Sequence, residues 1–334
     1  MRRARVIAID PTSPDPAAVR EVAACLRAGG LVALPTETVY GLAAHALDAQ
    51  AVARIFAAKG RPATNPLIVH VADAAAAARL AASWPETAAL LARRFWPGPL
   101  TLVVPRAPMV PDVVTAGGST VALRVPGHPV ALAVLREAGL PLAAPSANLS
   151  SAISPTTAQH VLAGLGDRLD RETDLVIDAG PSPGGIESTV IHLGVDPPRL
   201  LRPGLVTPAE IEAVIGPVAR GAPIEGPAPS PGMMERHYAP RARLEVRTDA
   251  AARAKELSDG GARVGWIGFD APPSSEVLAV ILPRDAAAYA ARLYGALHHL
   301  DDAGVDHVVV AAPPDSDEWL AVRDRLQRAS AAPG

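Results

Sequence analysis

The sequence predicts an α/β protein with a larger first domain and a smaller, mostly parallel second domain. Three observations carry that expectation. Short apolar segments with strand character alternate with helix-length amphipathic ones along most of the 334 residues. A stretch rich in Pro and Gly over 216–240 interrupts the alternation. The length itself suggests two units at about 150 residues each. The expected division is a first domain over 1–215, a connector over 216–240 and a second domain over 241–334.

Taken in order, the opening reads as β-α-β. VIAID (6–10) alternates like a strand, and 14–30 reads as a helix with Pro16 near its start and Gly29-Gly30 closing it. LVALP (31–35) reads as a buried strand. The segment 48–60 has Asp48 as a cap, apolar spacing at Val52, Ile55 and Phe56, and Gly60 as terminator. PLIVHVAD (66–73) is a strand, followed by an Ala-rich helix to about Ala82, a short helix over 85–95 and a strand over 99–106. Further strands are expected at 120–126, 140–148, 175–180, 188–193 and 199–204, with helices at 128–139 and 156–166. Beyond the connector, RARLEVR, ARVGWIGF, EVLAVILP and DHVVVAAP read as strands, with an amphipathic helix over 285–304.

Composition excludes several classes. Apolar residues make up 49% of the chain but aromatics only 3%, so Ala, Leu and Val must fill the interior. The single Cys25 forms no internal disulfide, and no Cys/His spacing suggests zinc. The start MRRARVIAID lacks the apolar run of a signal peptide, and no stretch approaches the ~20 apolar residues of a membrane span. The expected setting is a reducing cytoplasm. Net charge is −3, and neither half is the basic surface of a dedicated nucleic-acid binder. The common phosphate, hydrolase and zinc-protease motifs are missing from the sequence.

Four polar clusters stand where a core or plain loop would not want them. PTETVYG (35–41) packs two Thr, a Glu and a Tyr into a turn after a buried strand, and a capped turn explains it equally well. In 57–70, Lys59 and Arg61 flank a helix-ending glycine, and Asn65 and His70 border the next strand. Such a pair can hold a polyphosphate, Lys as a point charge and Arg as a fork. A solvated helix C-terminus is the plainer reading of the spacing alone. Ser146, Asn148, Ser150, Ser151 and Ser154 crowd the end of an apolar strand, as phosphate donors or as an ordinary loop and cap would. Gly184-Gly185 permits close approach of a ligand or a simple turn, with Ser188-Thr189 opening a strand. His192, inside an alternating strand, reads as structural.

Together these clusters carry a resemblance. LPTETVYGL (34–42), KGRPATNPLIVH (59–70), FWPGPLTLV (95–103), LRVPGHP (123–129), APSANLS (144–150), GIESTVI (185–191) and LRPG (201–204) follow the order of the threonylcarbamoyl-AMP synthases. The chain resembles the two-domain Sua5 type rather than the single-domain YrdC type, and SPGMMERHYAPRARL (230–244) is similar to that family's linker.

The resemblance implies a YrdC-like domain with a twisted mixed sheet around a basic cavity, and a smaller Rossmann-like Sua5 C-terminal domain. It implies a nucleotidyltransferase that makes threonylcarbamoyl-AMP and pyrophosphate from L-threonine, bicarbonate and ATP, with Mg²⁺ accompanying ATP and no organic cofactor. The product supplies N6-threonylcarbamoyladenosine at position 37 of tRNAs reading codons that begin with A. A separate complex performs the transfer, and tRNA is not held stably by the synthase. By the same resemblance, Lys59 and Arg61 act at the nucleotide. Asn65, Thr120, Ala144 (through backbone), Ser146, Asn148, Ser154, Arg202 and Tyr238 complete the ATP site. Thr38, His70, Arg124, Ser146 and Ser188 surround threonine. The linker, with Tyr238, would fold back over the cavity as a lid.

Two other readings compete. An RNA-binding factor with a similar cavity would bind RNA without turning over ATP, against which stand the even charge and scarce aromatics. Carbamoyl transfer through a related adenylate, as in hydrogenase-maturation proteins, would call for acylphosphatase and zinc-finger parts that this sequence lacks.

Overall fold

A computed structural model describes residues 4–221 and 237–331. Most of the expected linker, residues 222–236, lies outside the described residues. The described chain falls into two units. Unit 1 holds 4–150, 155–183 and 187–221; unit 2 holds 151–154, 184–186 and 237–331.

Unit 1 opens with β1 (Arg5–Ala8), α1 (Pro16–Arg27), β2 (Val32–Leu34), β3 (Gly41–His45), α2 (Ala49–Lys59) and β4 (Ile68–His70). Next come α3 (Ala74–Arg79), α4 (Glu86–Phe95), β5 (Leu100–Pro105), α5 (Asp112–Thr115), β6 (Thr120–Arg124) and α6 (Pro129–Ala138). It closes with β7 (Leu142–Ala143), α7 (Ala158–Leu165), β8 (Leu175–Asp178), β9 (Thr189–His192), β10 (Arg199–Arg202) and α8 (Pro208–Ile215). The strands form one ten-stranded sheet in the order β1-β8-β2-β3-β7-β4-β6-β5-β9-β10. It is mixed: β4 runs parallel to β6 and β5 to β9, whereas β2–β3, β3–β7 and β5–β6 are antiparallel.

Capping and patterning explain the helices. Asp15 accepts from the Ala18 amide to start α1, whose Val19, Val22, Ala23 and Leu26 are buried. Val19, Val22 and Leu26, with Val130, Val134 and Leu135 of α6, pack on Val32, Leu34, Ala43 and Leu142 of the sheet. A second core, including Ile55 of α2, Leu91 of α4 and Val161 of α7, packs on Ala33, Ala44, Val69 and Leu123. Val, Leu and Ala dominate both cores, as so few aromatics require.

Three readings change at this level. The segment 41–45 is a strand, so PTETVYG is the loop of a β2–β3 hairpin with Leu34 opposite Gly41. The strand expected over 140–148 contracts to Leu142–Ala143, because Pro141 and Pro145 have no donor for a ladder. Helix α8 begins at a capping box, with Thr207 and Glu210 bonding each other's backbone amides, a T-P-A-E signal that the apolar pattern alone did not reveal.

Unit 2 contains β11 (Arg243–Arg247), α9 (Ala250–Asp259), β12 (Val264–Gly268), β13 (Leu278–Ile281), α10 (Ala286–Asp302), β14 (His307–Ala311) and α11 (Leu320–Ser330). All pairings in the order β11-β14-β12-β13 are parallel, as the strand–helix alternation predicts. Helices α9 and α11 escaped the sequence reading because Arg, Lys, Glu and Asp interrupt their apolar period. Gly185, expected to admit a ligand or make a turn, has φ 73° and lies against α10. A Cβ there would come within 2.4 Å of Ala290 O, so its missing side chain permits helix packing.

Candidate active site

The β2–β3 hairpin loop buries its polar residues by bonding them to one another. Thr36 Oγ1 donates to Val39 O at 2.6 Å, lies 2.8 Å from Thr38 Oγ1 and accepts from the Thr38 amide at 3.2 Å. The Tyr40 hydroxyl donates to Gly180 O at 2.7 Å, and the Ala147 amide donates to Tyr40 O at 2.8 Å. Gly41 bridges Ser146. The hairpin loop and the 144–148 segment are thereby fixed side by side.

The C-terminus of α2 supplies two cations to the same neighbourhood. Gly60 adopts φ 58° and closes the helix, with the Arg61 amide donating back to Phe56 O at 3.0 Å. Lys59 is 2% exposed, and its Nζ donates to Ser146 O at 2.6 Å and Asn148 O at 2.5 Å. Among the described residues it has no carboxylate partner. Burial, then the Arg61 charge, holds its amine well below the ordinary lysine range. Arg61 is itself buried and donates to Asn65 O at 3.0 Å and Pro66 O at 2.8 Å. Asn65 is buried, as is Asn148, whose amide donates to Leu149 O at 2.9 Å.

The neighbouring strands bring a second group. His70 and Arg124 face each other in the β4–β6 register, and both are buried. Arg124 donates from Nη1 to Thr38 Oγ1 at 3.0 Å and from Nε to Gly98 O at 3.2 Å; Nη2 lies 2.6 Å from Glu37 Oε1. Burial first, and Arg124 second, lower the His70 pKa to about 3, so the ring is neutral, and its Nδ1 is buried without a partner among the described residues. Ser188 Oγ lies 2.8 Å from Thr101 Oγ1, and Arg202 donates to Ser188 O at 3.1 Å and Ser188 Oγ at 3.2 Å.

Thus unit 1 gathers Thr38, Lys59, Arg61, Asn65, His70, Arg124, Ala144, Ser146, Asn148, Ser188 and Arg202 at the hairpin loop, the end of α2 and adjoining strand ends. Thr120 stands at the opposite end of β6 from Arg124, facing Pro105. Ser154 and Tyr238 belong to unit 2. There Ser154 is fully buried, with its carbonyl 3.1 Å from His298 Nε2. Tyr238 has φ 62°, stacks on Tyr294 at 5.7 Å and lies under Arg325.

Sequence reasoning missed Thr36, Glu37 and Thr101 as individual members. Thr36 and Glu37 were visible within a polar cluster, whereas Thr101 is a lone hydroxyl in the apolar run LTLVV, completely buried. His192 is buried in β9 with neither ring nitrogen bonded among the described residues, and burial, then Arg199, lowers its pKa. No group of three or more His, Cys, Asp or Glu is disposed to hold a metal among the described residues. No helix among them is long and apolar enough to cross a membrane.

Comparison with known proteins places the whole chain in one family. A family model covering Sua5, YciO and YrdC, described as "Telomere recombination", matches residues 24–204. A second, "Threonylcarbamoyl-AMP synthase, C-terminal domain", matches 206–331. The chain is 44% identical over 325 residues to a threonylcarbamoyl-AMP synthase of Pyrococcus abyssi, covering 93% of this chain and 94% of that protein. It is 43% identical over 339 residues to the Bacillus subtilis protein of the same name, covering 96% and 95%. The crystal structure of P. abyssi Sua5 complexed with L-threonine matches with a TM-score of 0.91 at 41% identity, covering 97% of each chain.

Proposed function

The chain belongs to the threonylcarbamoyl-AMP synthases of the Sua5 type, and from this premise we propose how its own residues make the adenylate. The activity is formation of threonylcarbamoyl-AMP for the N6-threonylcarbamoyladenosine modification of tRNA. In the proposed reaction, the neutral amine of L-threonine captures bicarbonate with loss of water, or its CO₂ with release of a proton to solvent, to give an N-carboxylate. A carbamate oxygen then attacks the α-phosphorus of ATP, the P–O bond to the β-phosphate breaks, and pyrophosphate leaves.

The observation that supports this most is a buried lysine with no carboxylate partner among the described residues. Lys59 is held by two carbonyls, which carry no formal charge, and Arg61 lies close enough to depress its pKa. A buried charge left so is costly unless an anion joins it, and a triphosphate supplies one. We assign Lys59, Arg61, Asn65, Thr120, Ala144, Ser146, Asn148, Ser154, Arg202 and Tyr238 to ATP. Arg124, Thr38, His70, Ser146 and Ser188 are assigned to threonine, with the planar fork of Arg124 taking the carboxylate. The P. abyssi protein's complex with L-threonine supports threonine as a ligand of this chain. Catalysis rests on positioning and on cations that stabilise charge building on phosphate, with no covalent nucleophile required.

Mg²⁺ is proposed to arrive on the triphosphate oxygens of ATP as part of the substrate. A separate complex would then take the adenylate for transfer, tRNA being held there rather than here. With Cys25 its only cysteine and unpaired, the protein is proposed to work in the reducing cytoplasm.

The test is pyrophosphate release with threonine, bicarbonate and ATP omitted in turn. Release that needs all three, and is lost in a folded Arg61→Ala variant, is expected. An RNA shift without any nucleotide turnover, or near-normal turnover of that variant, would overturn the reading.

A further inference from the structure

The loop between β2 and β3 contains a chain of hydrogen bonds whose direction is fixed at both ends. Thr36 Oγ1 lies 2.6 Å from Val39 O, and a carbonyl has no proton to give, so the Thr36 proton sits on that line. With its one proton spent, Thr36 can only accept from Thr38 Oγ1 at 2.8 Å, and the Thr38 proton therefore lies between the two hydroxyls. The Thr38 and Val39 amides also donate to Thr36 Oγ1, in longer contacts of 3.2 and 3.3 Å. At the other end Arg124 Nη1 donates to Thr38 Oγ1 at 3.0 Å, and a guanidinium has only donors.

The protons thus run from Arg124 to Thr38, from Thr38 to Thr36 and from Thr36 to Val39 O. This order cannot reverse, because a guanidinium cannot accept and a carbonyl cannot donate. Thr36 and Thr38 are only 2% and 1% exposed, so bulk water offers neither proton another place. Thr38 is left with no proton for a ligand and with one of its two lone pairs. The other hydroxyl assigned to threonine alone is set differently. Ser188 Oγ lies 2.8 Å from Thr101 Oγ1, and among the described residues no carbonyl bonds either hydroxyl, so Ser188 can give or take a proton.

We infer that Thr36 is a positioning residue for the amino-acid substrate: by holding the Thr38 proton, it makes Thr38 an obligate acceptor. Given the proposed assignment of Thr38 to threonine, on which this role rests, the group Thr38 receives is a donor, either the substrate hydroxyl or an amine N–H. At the hydroxyl, an obligate acceptor demands an O–H, and a substrate lacking one leaves a buried lone pair unpaired. At the amine, it takes an N–H and leaves the nitrogen lone pair free to attack carbon. A hydroxyl free to turn could instead donate to that lone pair and block it. Thr36 touches neither group itself; it acts through the proton it withholds.

The test is a double-mutant cycle on pyrophosphate release by the full-length protein, with a circular dichroism spectrum for every variant. Thr36→Val keeps the shape and removes the hydroxyl, and should lower kcat/KM for threonine about tenfold or more. Thr36→Ser restores the hydroxyl and should stay within about threefold of the unmodified chain. In a Thr38→Val background no hydroxyl remains to be oriented, so adding Thr36→Val should cost less than about twofold more. Thr36→Ala takes its place in the cycle if Thr36→Val does not give the native spectrum. The inhibition constant of 2-aminobutyrate, which lacks the hydroxyl, locates the donor. Unchanged by Thr36→Val, it assigns the donor to the substrate hydroxyl; raised alongside the loss for threonine, it assigns it to the amine. Equal costs of Thr36→Val in both backgrounds, no cost in the unmodified chain, or a Thr36→Ser variant as impaired as Thr36→Val overturns this role and leaves the proposed reaction standing. An unmodified chain with no threonine-dependent release overturns the reaction and this role with it.

Discussion

Arg124 Nη2 lies 2.6 Å from Glu37 Oε1, while Nη1 of the same guanidinium donates to Thr38 Oγ1 at 3.0 Å. Both partners come from the six-residue loop between β2 and β3. The loop thus presents the arginine with an internal carboxylate, the chemistry proposed for threonine's own. Arg124→Lys keeps the charge but loses the fork, and should raise KM for threonine about 10–100-fold, equivalent to ~1.4–3 kcal/mol, with a smaller change in kcat. Glu37→Gln removes the competing carboxylate and should shift that KM the other way. Steady-state pyrophosphate release over a threonine series measures both.

His70 gives the fold a defined acid sensitivity. Its folded pKa of about 3 lies below the ordinary 6.5, chiefly through burial and next through Arg124. Between those values the unfolded chain binds a proton that the native ring refuses, so stability falls as pH falls through the window. Above 6.5 the group contributes no slope. The loss is at most on the order of 5 kcal/mol. His70→Gln, itself less stable at neutral pH, should therefore show a flatter decline of stability between about pH 6.5 and 3, read from urea melts at each pH.

What was legible in the sequence follows from the range of the forces involved. Helices with a cap and an apolar stripe were visible, because Asp48, Val52, Ile55 and Gly60 state start, face and stop within thirteen residues. The β3 strand was not, because Gly41–His45 owes its state to pairing with β2 and β7 rather than to an alternating pattern. Lys59 and Arg61 were visible as an odd pair of cations, but their sinking against the 144–148 carbonyls depends on contacts some ninety residues away. Glu37 was noticed as part of a polar turn; only tertiary structure reveals that it meets Arg124.

Thr101 shows the same limit and yields a prediction. Its hydroxyl sits 2.8 Å from Ser188 Oγ, which Arg202 also approaches at 3.2 Å. Thr101→Val preserves the shape and β-branching that suit β5, so the fold should lose only about 0.5–1.5 kcal/mol, the worth of one hydrogen bond. Freed from that bond, Ser188 can turn, and threonine KM should rise several-fold with ATP KM less affected. Equal effects on both substrates would show that Thr101 supports the sheet and does not position Ser188.

Discrimination among amino acids should follow from the polar character of the same group. Among the described residues His70 Nδ1 is buried without a partner beside Arg124, and Ser188 and Thr38 bring hydroxyls nearby. A substrate hydroxyl that bonds such a group satisfies it, whereas an isosteric methyl leaves it unpaired in a buried place. Valine, with that methyl, should therefore be rejected by up to about 10⁴-fold in kcat/KM. Serine keeps the hydroxyl and lacks only a methyl, so its penalty should be the smaller ~10–200-fold of a lost apolar contact. Competition assays of pyrophosphate release with the three amino acids measure the order threonine, serine, valine. If valine outcompeted serine, threonine would be recognised by shape rather than by its hydroxyl, and His70 would lose its place in the site.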